Sequence, residues 1–590
     1  MWTRLTRLTD LRGAGPFALS ADGIDLVVAR TESGLRAFQG RCPHQGALLG
    51  EGELDGDRLV CRNHRWEFDA ATGQRLGGPE CLVACPIELR DGELWADTAS
   101  LCYRTGEHAV RRRIADLPGP RGLPLVGNML QIELQRFHLV LEQWAAMYGS
   151  LYVYHMGPHP VLVVSDPVLA GQILRARPET YRRLGNVEPV FAEMGVSGVF
   201  SAEGTAWRPQ RRLAVEALSH RNLCGFFPTL EGVTRRLRGR WERKAAEGAT
   251  LDLAEELKRF TVDVTTMLAF GYDANTIEQD HDVIQRKLGL VFPAFGRRLI
   301  SLVPTWRWLR MPSDRRLDRA LAELREWLGV RIADARARLT ADPSRAERPA
   351  NFLESMIAAR DADGRPFADE VIFGNAMTML LAGEDTTANT LVWAIHHLCD
   401  APDAVTRLRA EVDAIIGGDG VAASIEMADR LAFAGAVANE AMRLRPVAPF
   451  TFVEPTRDVV IGDIAVPKGT FVGVLTRVPA MDSAHFAQPT KFRPERWIDG
   501  GIAGGAHDPS AYMPFGSGPR ICPGRTLALL EMKMVLAMLY GAFDVKRVGD
   551  AREVREHFAF TMSPATVRVR LRPSASHHPA LGAERAPRRA

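Results

Sequence analysis

The sequence predicts two unlike domains on one chain: a small all-β domain, then a larger, mainly α-helical domain with minor β-sheets. Three observations carry this. Residues 1 to about 105 set short apolar stretches such as Leu26-Val27-Val28-Ala29 and Leu59-Val60-Cys61 between Gly and Asp turns, the pattern of short strands. From about residue 136 onward apolar residues recur at helical spacing. Between the two lies Leu117-Pro118-Gly119-Pro120-Arg121-Gly122-Leu123-Pro124, too dense in Pro and Gly for a helix and suited to a boundary. The expected division is 1–105, a linker over 106–117, the large domain over 118–572, and a tail over 573–590 whose Pro, Ala, Ser and Arg content predicts disorder.

The totals narrow the function classes. A hydrophobic fraction of 46% over 590 residues supplies large cores. A net charge of +3 leaves no electrostatic footprint for nucleic acid. Eight cysteines are too few for a disulfide framework at this length and fit a reducing compartment, with cysteine used for chemistry. Met1 to Arg7 lacks an apolar signal core, and no apolar run approaches the roughly 20 residues that span a bilayer. A cytoplasmic protein without a transmembrane segment is expected.

Within the β-rich part, Cys42-Pro43-His44 and Cys61-Arg62-Asn63-His64 offer two thiolates and two imidazoles in the pattern C-x-H-x16-C-x-x-H. Such a set holds either structural zinc or a 2Fe–2S cluster with two Cys on one iron and two His on the other, and ligand count does not separate them. Gln45-Gly46-Ala47 follows the first pair; Trp66-Glu67-Phe68-Asp69 and Thr72-Gly73 follow the second. With these neighbours the segment resembles the Rieske ferredoxins and the Rieske domains of ring-hydroxylating oxygenases. The resemblance implies a 2Fe–2S cluster on Cys42, His44, Cys61 and His64. Ala47 and Asn63 stand where the respiratory Rieske proteins carry an extra disulfide, so the resemblance is to the lower-potential, oxygenase-type class. Asn63 and Arg65 depart from the Tyr and Gly usual in that class, and Arg65 sets a positive charge beside His64. Cys81 and Cys85 lie outside the pattern and read as packing residues.

The large domain opens after Arg111-Arg112-Arg113, a run read as solvated surface. Trp207 and Arg211 are four apart, share a helical face, and both donate to carboxylates. Phe295-Gly296-Arg297-Arg298 and Trp306-Arg307-Trp308-Leu309-Arg310 interleave aromatics with arginines; a lid packed on its own domain is expected, with contact to a membrane surface or greasy substrates as the alternative. In Ala382-Gly383-Glu384-Asp385-Thr386-Thr387, small, acidic and hydroxyl residues interrupt an apolar helix, which is unfavourable unless they serve a site. Gly383 is read as leaving room for a ligand. Glu440 and Arg443 pair at i, i+3, with Phe492-Arg493-Pro494-Glu495-Arg496-Trp497 beyond them and Pro446 to Phe450 between.

The last element is Phe515-Gly516-Ser517-Gly518-Pro519-Arg520-Ile521-Cys522-Pro523-Gly524, followed by a helical run from Thr526. Read by itself, the cysteine is either buried in a Gly-rich turn or a ligand whose thiolate the helix start favours. The loop reads F-x-x-G-x-R-x-C-x-G and, with the preceding elements in order, resembles the cytochrome P-450 family over about 118–572. The resemblance implies haem b bound at Cys522, with Arg520, Phe515, Gly516, Trp207 and Arg211 around it. It also implies Asp385 and Thr386 delivering protons, Glu440, Arg443 and Arg496 as a folding triad, and Pro446 to Phe450 facing substrate.

Together the resemblances imply a haem-thiolate monooxygenase that uses O2 and electrons relayed through its own Rieske cluster to oxidise an apolar small molecule. No G-x-G-x-x-G after a strand and no flavin-binding pattern occurs, so a separate NAD(P)H-dependent flavoprotein reductase is the expected partner. The alternative is a haem-thiolate isomerase, a peroxygenase or a redox sensor in which the cluster is regulatory.

Overall fold

Alternation along the first hundred residues yields three small antiparallel sheets. Phe17–Ala21, Ile24–Thr31, Gly34–Gln39 and Ala84–Cys85 pair in that order in the first. Glu53–Asp55, Arg58–Val60 and Glu67–Asp69 make the second, and Glu93–Asp97 runs between Trp2–Arg7 and Ile87–Arg90 in the third. The strand Ile24–Thr31 buries both faces. Val27 and Ala29 meet Leu59 and Phe68 on one side, while Leu26 and Val28 meet Leu94 and Ala96 on the other, the period of two that a strand between two cores requires. The computed structural model describes the whole chain except residues 1, 12, 14, 22–23, 33, 44–45, 63–64, 79, 99–110, 280–282, 302–303, 362–363, 418–419, 499–507 and 575–590.

The second half of the expected linker belongs to the large domain. Arg112–Arg113 pair in parallel with Ile464 and Ala465, and Arg112 binds Asp463 at 2.7 Å, so this Arg run is partly paired. At the other end the strand Arg568–Pro573 takes in Pro573, and the Ser574 amide donates to the Ala542 carbonyl. The remainder of the expected tail lies outside the described residues.

The helices that frame the site are numbered here in chain order: α1 (Pro167–Arg175), α2 (Gly204–Ala217), α3 (Leu253–Phe270), α4 (Val283–Ile300), α5 (Asp369–Leu398), α6 (Ala432–Leu444) and α7 (Arg525–Ala542). Their ends follow local chemistry. Asp166 caps α1 by accepting from the Leu169 amide, with Pro167 at the first position. Asp252 caps α3, and Gly271 ends it in the left-handed region at φ 64°. Helix α5 lies along α3 in the principal core, where the Thr261 hydroxyl donates to the Glu384 carbonyl at 2.8 Å. A Cβ on Gly383 would lie 2.5 Å from Thr265 Oγ1. Gly383 therefore permits close packing of two helices and does not make room for a ligand.

A five-stranded sheet, in the order Leu151–Met156, His159–Val164, Phe471–Leu475, Phe450–Pro455 and Tyr181–Arg182, closes one side. The lid elements pack inward only in part. Phe295 stacks on Phe191 at 4.2 Å and the Trp306 indole donates to Glu193, whereas Trp308 and Leu309 are 74% and 65% exposed. Among the described residues no helix is long and apolar enough to cross a membrane.

Candidate redox centres and the surface between them

Two loops of the N-terminal domain share one hydrogen-bond plan. The Cys42 amide donates to Ala47 O and the Gly46 amide to Cys42 O; the Cys61 amide donates to Trp66 O and the Arg65 amide to Cys61 O. Both plans need a left-handed residue at the fifth position, which Gly46 (φ 69°) and Arg65 (φ 57°) supply. Cys42 and Cys61 are buried. His44 and His64 lie outside the described residues, and no metal-binding group of three or more converges among those described. The charge expected from Arg65 points to Glu53 at 3.1 Å on the exposed surface. The neighbouring Arg62 instead buries its Nη1 atom.

In the C-terminal loop the Cys522 amide donates to Phe515 O, and Gly516 and Gly518 are left-handed. Gly518 is held against the end of α1, where a Cβ would lie 2.5 Å from Leu174 O. Cys522 keeps an exposed face although protein surrounds the rest of its side chain. Burial pushes its thiol pKa up, outweighing the Gly524 amide and the arginines 211, 62 and 525, which pull it down.

Arg520 stacks over the buried Trp207 ring at 4.6 Å and binds Glu203 at 2.6 Å. Arg177 and Arg183 share this buried region. Burial lowers Arg520 to about 9 and Arg177 to about 10, and drives Arg183 down as well. Arg520 Nε and Nη1 and Arg177 Nε and Nη2 are buried with no acceptor.

On α5, Asp385 binds Lys258 of α3 at 2.7 Å. Burial lowers the Lys258 pKa, but Asp385 and Glu384 prevail and raise it. The Thr386 hydroxyl donates to Ala382 O at 2.9 Å. Thr387 bonds the opposite way, to Glu531 of α7, whose acid burial pushes up to about 8. A cavity of about 180 Å³ reaches Glu384, Asp385 and Lys258 from between Pro293 of α4 and Phe560.

Glu440 is fully buried and accepts from Arg443 Nε and Nη2, Arg496 Nε, the Arg493 amide and the Trp497 indole, all at 2.8–3.0 Å. The Arg493 amide and Trp497 complete a set of which the sequence displays three members.

The two domains meet at the Cys522 loop. Arg211 spends its three nitrogens on Ile521 O at 2.6 Å and on both Glu51 oxygens at 2.9 Å, so it clamps the thiolate loop to the N-terminal domain. Arg62 Nη2 donates to Pro523 O at 2.6 Å. Gly46 sits so close to α1 that a Cβ would meet Arg175 Cγ at 2.5 Å. Beside them Asp25 and Arg41 of the N-terminal domain join Arg208 and Glu179 of the large one in a ring of alternating charge: Arg41–Asp25, Asp25–Arg208, Arg208–Glu179 and Glu179–Arg41, at 2.6–2.9 Å.

Comparison with known proteins fits this geometry. Residues 117–571 match the family model for cytochrome P-450, and residues 1–85 match that for the Rieske [2Fe-2S] domain. The chain belongs to the cytochrome P-450 family. It is 30% identical over 479 residues to the mitochondrial 25-hydroxyvitamin D-1 alpha hydroxylase of Homo sapiens, covering 78% of this chain and 92% of that one. It is 26% identical over 470 residues to a bifunctional cytochrome P-450/NADPH–P-450 reductase of Gibberella moniliformis, covering 77% of this chain and 40% of that one. The solved haem domain of cytochrome P450DA shares the fold, with a TM-score of 0.69 at 23% identity over 80% of this chain and 99% of that one. The chain is thus a P-450 monooxygenase with haem-thiolate and Rieske 2Fe–2S centres.

The residues present fit both groups. Three guanidiniums against Glu203 leave two positive charges and four donor nitrogens without acceptors, what the two carboxylates of a haem would satisfy. The twin loops with buried sulfurs suit a cluster bridging them. Arg177, Arg183 and Lys258 are absent from the sequence reading. They belong to segments far from the motifs, and an isolated arginine or lysine carries no spacing signal.

Proposed function

We propose that this P-450 oxidises an apolar organic substrate with O2, drawing single electrons through its own Rieske centre, which a separate NAD(P)H-dependent flavoprotein reductase refills. The observation that carries the reading is the docking of the Cys61 loop on the Cys522 loop through Arg62 and Pro523. A donor held there has a high effective concentration without any further partner to find.

Cys522 would bind the haem iron, Arg520, Arg177 and Arg183 its propionates, with Trp207 supporting Arg520 and Phe515 and Gly516 shaping the loop. Cys42, His44, Cys61 and His64 would bind the cluster. Haem held by a thiolate supplies oxygen activation and O–O cleavage. Asp385, reached by the cavity beside Lys258, takes up protons, and the Thr386 hydroxyl passes them inward.

The test is reconstitution with NADPH and a flavoprotein reductase, following oxygen uptake and product. Wild type should couple the two, and Cys61→Ser should lose coupled turnover while keeping its haem. A Cys61→Ser variant that turned over like wild type would remove the relay.

A further inference from the structure

We propose that Arg62 is the contact through which electrons cross between the two centres, and that the N-terminal domain stays docked on it throughout turnover. This rests on the relay reading above and assigns it a residue and a mode.

Arg62 follows Cys61 directly, and Pro523 follows Cys522 directly. A single hydrogen bond of 2.6 Å, Arg62 Nη2 to Pro523 O, therefore links the neighbour of one metal ligand to the neighbour of the other. The same nitrogen approaches Leu218 O at 3.3 Å, so the guanidinium sits in a pocket of two carbonyls from the haem domain. Charge-assisted bonds of this kind are strong, and more so away from water. Arg525, at the start of α7, interacts with both Cys61 and Cys522, and Arg211 and Arg62 act on Cys522. An electron crossing here passes between guanidiniums, which favour the added negative charge on either side.

The docking has little freedom. Swinging the domain away would break the Arg62 bond, separate the Glu51–Arg211 pair, which is 10% and 5% exposed, and open the four-residue ring. The Arg62 bond, the Glu51–Arg211 clamp and the ring must all let go together for the domain to leave, which favours the docked state. A donor that shuttled would need a weaker, wetter contact. The electron balance is simple: the reduced Rieske centre loses one electron, the haem iron gains it in passing from ferric to ferrous, and the flavoprotein reductase replaces it.

The experiment uses the full chain with both centres loaded, under carbon monoxide, with the cluster reduced first. The rise of the ferrous carbonyl band and the loss of the cluster's paramagnetic signal are followed in wild type, Arg62→Met, Arg62→Lys and Arg58→Met, the last an exposed control on the preceding strand. Wild type and Arg58→Met should transfer at the same first-order rate, unaltered by salt. Arg62→Met should be several-fold slower, because the bonded link between the two loops is replaced by an unbonded gap, with the cluster signal and haem spectrum unchanged. Arg62→Lys, which keeps the charge but not the fork, should fall between and carries the test if Arg62→Met takes up no cluster. Wild-type speed in both Arg62 variants overturns the assignment and leaves the relay standing. A wild-type rate that drops with salt overturns permanent docking. No transfer in wild type overturns relay and assignment together.

Discussion

Glu51→Ala should loosen the N-terminal domain without touching a ligand of either centre. Glu51 and Arg211 meet through two contacts of 2.9 Å at almost fully buried positions. Removing one partner of such a pair costs about 3–5 kcal/mol, because the other charge is left stranded. Arg211 keeps its bond to Ile521 O, so the lower end, about 3 kcal/mol, is expected. Docking stabilises the N-terminal domain, so its urea midpoint, followed by cluster absorbance, reports the loss. With a slope of about 1–3 kcal/mol/M for a small domain, the midpoint should fall by about 1–3 M. The haem band should move less, since α2 is only one edge of a larger core. Adding Arg211→Met should recover about 2 kcal/mol, a coupling within the range of buried ion pairs. An unchanged cluster midpoint, or strict additivity in the cycle, would refute the clamp.

Three other outcomes follow from the same geometry. Thr386→Ala should keep its haem and reduce O2, but release peroxide in place of product, while Asp385→Asn should slow coupled turnover by about a hundredfold; normal coupling in the Thr386 variant removes its role. Glu440→Gln strands two buried arginines and should cost about 3–5 kcal/mol, seen as a lower melting temperature and poor haem retention. Glu531 has its folded pKa raised to about 8 against 4.5, chiefly by burial. Its contribution is therefore full below pH 4.5, declines as pH rises, and is gone above 8. Glu531→Gln should flatten that decline, gaining at most about 5 kcal/mol on wild type between pH 4.5 and 8, and parallel stability curves would count against the raised acid.

What the sequence made legible is what is local. The Cys522 loop, the polar break in α5 and the Cys42 and Cys61 loops each gather their residues within a dozen positions, so spacing marks them as candidates and the family resemblances supply the chemistry. Caps such as Asp166 and Asp252 are legible for the same reason. The arginines 177 and 183 converge on Arg520 only through the fold, and Lys258 reaches Asp385 from another helix. Gly383 reads from the sequence as room for a ligand, but a missing side chain serves a neighbouring helix equally, and Thr265, on that helix, decides. Arg65 drew attention as a departure from a motif, yet Arg62, three residues earlier, makes the contact. A docking surface has no periodicity, so neither the Glu51 clamp nor the charge ring could be read before the domains were seen together.

The central claim is that one electron passes from the N-terminal centre to the haem inside a single chain. Rapid mixing of cluster-reduced protein with carbon monoxide, repeated over a wide range of protein concentration, tests it most directly. The account predicts haem reduction in step with cluster oxidation at a rate independent of concentration. A rate that rises with concentration, or a cluster that stays reduced while the haem remains ferric, would contradict it.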